Sequence, residues 1–383
     1  MKKIFMYATM ATTVMTLGAS LASCSSDKND DTPSKEIDIT DANNLDYNSA
    51  YAEQWGNYMA TVSNLLANDA ATLYDEWNKG YADIFKNHNS EEYKSAIDCV
   101  EQIFDGCIDI ASEVGSAKIG EPYSLYMDGK TEEALYAVES WYSWHSRDDY
   151  RNNIYSIRNA YYGSRDGKVS PNSLSAILAA KNPELDNRAK ALIQAAADAI
   201  YAIPQPFRNN INSKEASAAM TACAALEDFI ENELKPYFTN NINDDATLGP
   251  VVKQYVDAVV LPTYSDLARL NKALDTAVKN FKANPSDAGF TACANAWLTA
   301  REPWEQSEAF LFGPVDELGL DPNMDSWPLD QAQIAKILKS QDFTNLNWKE
   351  GESDDKIEAA QSLRGFHTLE YLIFKDGKAR TVK

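Results

Sequence analysis

The chain contains three histidines, His88, His145 and His367, and each is followed three residues later by an acid. Imidazole and carboxylate groups serve as metal ligands and as acid–base catalysts, but this spacing is too common in an acidic protein to identify a site. His88 lies in a polar stretch and is expected to be an exposed histidine without a special role. His145 lies among aromatic and acidic residues, so its role stays open.

His367 and Glu370 differ because the helix that carries them is predicted to be buried. At about 100° per residue, Leu363, His367 and Glu370 fall within an arc of roughly 60°. The remaining faces of this helix are also apolar, which is typical of a buried helix. Gly365 costs about 1 kcal/mol in a helix interior, so it indicates a close backbone approach. Two interpretations remain open: a hydrogen-bonded core pair, or part of a ligand site.

A second candidate stretch runs from Trp297 to Phe312. It places Arg301, Trp304 and Glu308 on one helical face. This pattern predicts either a buried Arg–Glu pair that stabilises a helical bundle, or a small polar site between helices. In the second case Glu308 would join the predicted His–Glu pair.

Missing motifs and the net charge narrow the chemistry. The chain has no His-Glu-x-x-His and no Glu-x-x-His, which argues against the common zinc-peptidase and ferritin-like di-iron arrangements. With one histidine in a convincing setting, a bound divalent or ferric cation would rely mainly on oxygen ligands. Such ligands suit Ca²⁺, Mn²⁺ or iron better than structural zinc. The net charge of −22 repels phosphate backbones, so no nucleic-acid partner is expected.

The N-terminal sequence predicts export and lipid anchoring. Residues 1–23 combine a basic start, an apolar stretch and small residues before Cys24, as in a lipoprotein signal peptide. Cys24 would become the acylated first residue, anchored in the bacterial outer membrane at its periplasmic face or at the cell surface. Removing residues 1–23 removes two lysines and no acid, so the charge falls from −22 to −24. Residues 24–44 are expected to be a flexible tether between the membrane and the folded part.

Helical periodicity dominates the rest of the chain and predicts an all-α fold. Glycine and proline are few, and apolar residues recur three and four positions apart. We expect a two-part helical bundle with residues 45–240 and 251–383 as its halves and residues 241–250 as the linker. The predicted helices cover residues 51–77, 93–113, 187–201, 214–234, 251–281 and 287–312.

Three stretches resemble the imelysin-like family, also known as peptidase family M75. Residues 365–372 resemble its Gly-x-His-x-x-Glu signature, and residues 301–316 resemble its Arg-x-Pro-Trp stretch. Residues 139–163 resemble a third family stretch, which contains Glu-Ser and Asn-Asn-Ile. The resemblance implies a two-part helical bundle with a metal or ligand site at His367 and Glu370. The other residues that it places at or near this site are Glu139, Ser140, Ser143, Asp149, Arg301, Trp304, Ser307, Glu308, Asp316 and Gly365.

The order of these stretches departs from the family pattern. The half with the Gly-x-His-x-x-Glu signature is expected first, whereas here it follows residues 45–240. We therefore predict that the fold is a circular permutation of the imelysin type, with the linker joining the old ends. Helical bundles whose termini lie close together tolerate such a change because their contacts are kept.

Three functions stay open. The acidic surface and the family association favour a cation-binding protein of iron uptake, whose partners would be a metal ion and uptake components. A metallopeptidase of the M75 type is the second, although hydrolysis normally needs about three ligands and a base within reach. The third is a protein-interaction scaffold in which the His–Glu pair is structural.

Overall fold

Helices account for most of the part of the chain that the structure describes, which comprises residues 37, 39–349 and 351–382 of a computed structural model. This content confirms the predicted all-α class. The predicted signal peptide and Cys24 lie outside the described residues. Within the described ranges, no helix is both long and apolar enough to cross a bilayer.

Each of the six stretches that hydrophobic periodicity predicts to be helical is mostly helical. Several begin at a residue whose side chain caps the helix: Ser286, for example, accepts a hydrogen bond from the backbone N–H of Gly289 at 3.1 Å. In the described residues the α-helices are α1 Ala52–Glu76, α2 Ala82–Asn87, α3 Ala96–Ser112, α4 Gly120–Met127, α5 Thr131–Ala137, α6 Ser146–Tyr162, α7 Leu174–Lys181, α8 Pro183–Tyr201, α9 Lys214–Phe229, α10 Lys235–Asn241, α11 Asp245–Tyr255, α12 Leu261–Ala283, α13 Asp287–Glu305, α14 Pro314–Glu317, α15 Leu320–Asp325, α16 Gln331–Ser340, α17 Asp354–Gln361 and α18 Gly365–Ile373.

Shorter and wider helical turns extend or join these helices. One class has π-helical geometry, a form that is rare and often found at functional sites; its segments are Trp77–Tyr81, Glu113–Ile119, Ile230–Leu234 and Val256–Val260. The 3₁₀ turns are Ala42–Asn44, Ser49–Tyr51, Phe207–Asn209, Glu308–Phe310 and Thr344–Leu346.

A two-stranded antiparallel hairpin, β1 Phe374–Lys375 and β2 Lys378–Ala379, follows α18. Asp376 and Gly377 form its turn, and both have positive φ, which matches the Asp-Gly preference of two-residue hairpin loops.

The predicted linker, residues 241–250, is mostly helical. Only residues 242–244 separate α10 from α11. Asp244 caps α11 by accepting a hydrogen bond from the N–H of Thr247 at 2.9 Å, and Leu248 is buried. Capping and burial therefore favour a helix across most of the segment that its polar composition marks as a connection.

Residues 36–383 form one compact unit, in which helices of both predicted halves pack together. Helix α1 packs along α12 and also contacts α18, while α6 packs against α13. The described end of the predicted tether belongs to this unit: Ile37 is buried, and the hydroxyl of Tyr371 donates to the carbonyl of Ala42 at 2.6 Å. Helix α18 is thus enclosed by α1, α13 and α15, which explains why every residue of α18 is buried.

Candidate functional site

Helix α18 carries the predicted His–Glu pair, and Gly365 sets where this helix begins. Gly365 has a φ of +85°, and a side-chain Cβ at this position would clash with the carbonyl oxygen of Met324. Glycine is therefore required both for the backbone conformation and for the close approach. Because Met324 immediately precedes Asp325, this contact brings the end of α15 next to His367.

Both ring nitrogens of His367 have carboxylate partners. Nδ1 lies 3.0 Å from Oε2 of Glu370, and Nε2 lies 3.1 Å from Oδ1 of Asp325. Burial and the charge of Arg301 oppose protonation, but the two carboxylates outweigh them and raise the pKa of His367 to about 9. A protonated imidazole donates from both nitrogens and leaves no lone pair for a metal. In this arrangement His367 orients carboxylates.

Glu370 uses its other oxygen to hold a loop from the first predicted half. Its Oε1 accepts hydrogen bonds from the backbone N–H groups of Tyr142 and Ser143, at 3.0 and 2.7 Å, and from the Ser143 hydroxyl at 2.7 Å. Ser140 and Trp144, within the same loop, have φ values of 50° and 60°. Glu370 therefore connects α18 to this strained loop through three donors.

Arg301 is the buried cation at the centre of the site. Its Nη1 contacts Oδ1 of Asp325, its Nε lies 2.5 Å from Oε1 of Glu305, and the same Nε lies 3.7 Å from Oδ2 of Asp149. The Arg301 side chain is completely buried. A buried guanidinium needs such partners because its desolvation is costly.

A second histidine is linked to Arg301 through Asp149. Nδ1 of His145 lies 2.7 Å from Oδ1 of Asp149, and the hydroxyl of Ser140 donates to the other oxygen. Burial opposes protonation of His145, but the charge of Asp149 outweighs it and raises the pKa of His145 to about 9. His145 and His367 are thereby connected through Asp149, Arg301 and Asp325.

Three carboxylates, of Glu305, Glu308 and Asp325, converge near Arg301. One oxygen from each lies within 4.8 Å of the others. Oxygen ligands on opposite sides of one cation are roughly 4 to 5 Å apart, so these atoms are close enough to share an ion. The indole N–H of Trp304 donates to Oδ2 of Asp325 at 2.6 Å and fixes the orientation of that carboxylate.

A buried amide oxygen next to this group has no donor. Nδ2 of Asn153 donates to Oε2 of Glu305 at 2.5 Å, whereas its Oδ1 has no hydrogen-bond partner among the described residues, although Asn153 is completely buried. Buried polar atoms are normally paired. Three carboxylates and an unpaired amide oxygen are the hard oxygen donors that Ca²⁺, Mn²⁺ and iron accept.

Tight packing of α3, α6 and the 3₁₀ turn Glu308–Phe310 positions Glu308. The N–H of Ala309 donates to the hydroxyl of Ser156 at 3.0 Å. A Cβ on Gly106 of α3 would fall on the carbonyl oxygen of Ala309, so only glycine allows this approach. Glu308 therefore follows Glu305 by one turn and is held in place by two other helices.

The protonation of the three acids differs. Burial raises the pKa of Glu305 to about 8, against the opposing charge of Arg301. Burial likewise raises the pKa of Glu308 well above its ordinary value, against the charge of Lys118. Burial also opposes ionisation of Asp325, but Arg301 and His367 outweigh it and hold its pKa well below the usual range. Burial thus favours the neutral forms of Glu305 and Glu308.

Comparisons with known proteins identify the family of the chain. The imelysin model of peptidase family M75 matches residues 30–232 and 260–383. The chain belongs to the imelysin family. The crystal structure of an imelysin peptidase from Bacteroides ovatus superimposes with a TM-score of 0.89 at 58% identity, covering 90% of this chain and all of that one. This agreement confirms the imelysin-type helical fold, while the circular permutation stays a prediction.

A further comparison concerns a curated protein of Synechococcus elongatus. This chain is 32% identical over 123 residues to its iron-regulated protein A. The match covers 32% of this chain and 31% of the relative, so it spans about a third of each protein.

The imelysin fold brings most of the predicted site residues together. The residues that the sequence predicts for the neighbourhood of the site lie mostly around Arg301. Ser307 is buried there, and its hydroxyl donates to the carbonyl of Trp304 at 2.6 Å. Asp316 is exposed on α14. The predicted residues that contact one another directly or through one shared partner are His367, Glu370, Arg301, Trp304, Asp149, Ser140, Ser143, Glu139, Ser307 and Glu308.

Sequence reasoning missed Glu305, Asp325, Asn153 and Lys118 as members of the site. Glu305 lies four residues after Arg301, a spacing at which opposite charges pair on a helix, so its contact with Arg301 was predictable. Asp325 carried no such indication, because its place depends on the contact between Gly365 and Met324. Lys118 was equally hidden, since it approaches Glu308 from a distant segment.

Proposed function

We propose that this imelysin-family chain is an exported lipoprotein that binds one iron-type cation and serves as an accessory protein of cation uptake. The binding site lies around His367 and Glu370 and uses Glu305, Glu308 and Asp325 as ligands. The observation that carries the proposal is the convergence of these three carboxylates within 4.8 Å in the protein interior. The similarity to a protein named iron-regulated protein A supports the choice of cation.

The charge balance supports a multivalent cation. Five buried or nearly buried carboxylates surround four cationic groups, Arg301, Lys118, His367 and His145. If all were ionised, one negative charge would be uncompensated in a low-dielectric interior, where it is costly. Raised pKa values at Glu305 and Glu308 reduce this charge by protonation. A divalent or ferric cation would provide the same compensation and release the protons. The five carboxylates are Asp149, Glu305, Glu308, Asp325 and Glu370.

The signature residues then act as supports for the ligands. His367 donates to Asp325, and Glu370 in turn holds His367. Partners of this kind orient metal ligands, and their loss typically lowers affinity by about 10- to 100-fold. Changing His367 should therefore weaken cation binding, even though His367 offers no free lone pair in this arrangement.

Calorimetric titration tests the binding proposal. Residues 25–383 would be titrated with Fe²⁺ without oxygen and with Mn²⁺, beside the double variant Glu305→Gln/Glu308→Gln. We expect one ion per chain and a loss of affinity of about a hundredfold or more in the double variant. Glu302→Gln is the matched control because Glu302 is an exposed acid of the same helix.

Either of two results would contradict the proposal. One is equal binding by the wild type and the double variant; the other is no binding to the wild type at micromolar concentrations. No binding, together with a loss of stability in His367→Ala, would instead support the scaffold interpretation.

The lipid anchor is a separate part of the proposal. Its support is the sequence up to Cys24, where a signal peptide ends in small residues before a cysteine. Metabolic labelling with a fatty acid should mark the wild type and leave Cys24→Ser unlabelled. Labelling of both proteins would show that the acyl group is elsewhere.

A peptidase activity is the second candidate function. It is favoured by the similarity to a protein called an imelysin peptidase and by Glu305, whose pKa of about 8 suits a group that exchanges protons near neutral pH. Chelator-sensitive cleavage of an unfolded substrate, lost in Glu305→Gln, would support it. Cleavage that persists in this variant would assign the activity to a contaminant or to another site.

A further inference from the structure

Lys118 is a buried cation next to the proposed ligands. It lies in the π-helical segment Glu113–Ile119, and its side chain is only 4% exposed. Neighbouring glycines hold the segment against α9, since a Cβ on Gly115 would come within 2.8 Å of the Cβ of Cys223. The backbone of Lys118 is therefore fixed, while the flexible stem of a lysine still allows its ammonium to move.

Three carboxylates surround this ammonium at unequal distances. Its Nζ lies 3.2 Å from Oε2 of Glu139, 3.5 Å from Oε1 of Glu113 and 3.7 Å from Oε1 of Glu308. The contact with Glu139 is a hydrogen bond. The ammonium thus contacts Glu308 at the longest of the three distances, and its two nearer carboxylates belong to acids outside the proposed ligand set.

We propose that Lys118 is a tethered cation that competes with a bound metal ion for Glu308, and that Glu139 and Glu113 receive its ammonium when the ion binds. This inference rests on the proposed cation site. It assigns Lys118 and Glu139 as residues that set the affinity of the site without touching the ion.

Charge repulsion and solvent access give the direction of the movement. Two positive charges on the same carboxylate repel each other strongly in the interior. The side chains of Glu139 and Glu113 are 15% and 35% exposed, whereas that of Glu308 is 4% exposed. Moving away from Glu308 therefore brings the ammonium closer to water and lowers its desolvation cost.

A double-mutant cycle tests the competition. Lys118→Met keeps the length of the side chain and removes its charge, so it should lower the Kd for Mn²⁺ at least about tenfold. Glu139→Gln removes the negative charge that attracts the ammonium away from Glu308, so it should raise the Kd by a similar factor. In the Lys118→Met background, Glu139→Gln should have no larger effect than the control Glu302→Gln.

The measurements are calorimetric titrations of residues 25–383, which include the whole compact unit, with circular dichroism to verify folding. An unchanged Kd in Lys118→Met, or the same effect of Glu139→Gln in both backgrounds, would overturn the inference while leaving the cation site intact. If Lys118→Met does not fold, the comparison of Glu139→Gln with Glu302→Gln decides. Equal Kd values for those two variants would refute the competition. If the wild type binds no Mn²⁺, both the proposed cation site and this inference are refuted.

Discussion

The two sides of Arg301 differ in how completely their polar atoms are paired. On the histidine side, both nitrogens of His367 and both oxygens of Glu370 have partners. On the acid side, Glu305 and Glu308 carry raised pKa values, and the amide oxygen of Asn153 has no donor among the described residues. Every ring nitrogen and carboxylate oxygen of the signature pair His367–Glu370 thus has a partner, and the capacity to bind a cation lies with the acids.

This difference separates support from binding. Satisfied polar networks rigidify a protein interior, so changes on the histidine side should lower stability, and they should weaken cation binding only through the orientation of Asp325. Under-compensated acids favour a cation instead, so changes on the acid side should mainly affect binding. Four experiments test this division, and they follow in order of decreasing expected effect.

Removing the guanidinium of Arg301, which contacts residues of both sides, should lower the stability of the protein. Arg301→Met leaves Asp325, Glu305 and Asp149 without their common partner, which should lower the free energy of unfolding by about 3–5 kcal/mol. Arg269→Met is the control, because Arg269 forms an exposed ion pair with Asp266, and such pairs contribute little. Urea denaturation measures both changes. Equal losses would show that Arg301 is not central to the site.

Raising the pH should destabilise the protein without bound metal. His367 has a folded pKa of about 9 against an ordinary value of 6.5, so its contribution is complete below pH 6.5 and is lost as the pH rises through 9. This shift corresponds to about 3 kcal/mol. Burial raises the pKa of Glu305 to about 8. The free energy of unfolding should therefore also fall as the pH rises from the ordinary pKa of a glutamate towards 8.

Urea denaturation between pH 6 and pH 9 measures this dependence. His367→Gln should make the profile less steep because it removes one titrating group, while His145, whose pKa is also about 9, remains. A free energy of unfolding that stays constant or rises over this range in the wild type would contradict the pairing described for His367.

Removing one hydrogen-bond donor of Glu370 should lower the free energy of unfolding and change the cation affinity little. Ser143→Ala removes a hydroxyl that donates to a buried carboxylate at 2.7 Å, so the free energy of unfolding should fall by about 1.5–3 kcal/mol. Ser362→Ala is the matched control, since Ser362 bonds only a nearby surface carbonyl. A large change in cation affinity without a change in stability would place Glu370 among the ligands.

Neutralising Glu308 should lower the cation affinity and leave the free energy of unfolding nearly unchanged. Because burial already raises the pKa of Glu308 well above its ordinary value, the amide of Glu308→Gln should change stability by less than about 1 kcal/mol. Its cation affinity should nevertheless fall clearly below that of Glu302→Gln in calorimetry. A large loss of stability in Glu308→Gln would show that Glu308 has a structural role of its own in the absence of metal.

The fold was largely predictable because its helices follow hydrophobic periodicity. The pattern that predicts a helix over residues 51–77 corresponds to α1, whose buried face includes Trp55, Tyr58 and Leu66. The linker was harder, because the polar composition around Asp244 suggests a long connection. Capping by Asp244 and burial of Leu248 instead continue the helical structure.

The candidate site was only partly predictable, since it depends on contacts between distant segments. His367 and Glu370 were evident from the buried character of their helix. Asp325 and Lys118 were not, because each reaches the site through backbone packing at glycines, Gly365 in one case and Gly115 in the other. A glycine marks a close approach, but the sequence does not reveal which segment approaches it.

The most direct test of the cation site is anomalous X-ray diffraction from crystals of residues 25–383 grown with Mn²⁺. Data collected at the manganese absorption edge locate the ion without reference to any assumed ligand. We expect one strong peak among Glu305, Glu308 and Asp325, and its absence in Glu305→Gln/Glu308→Gln. A peak on His367 with those three acids unoccupied, or no peak in the interior, would contradict the account.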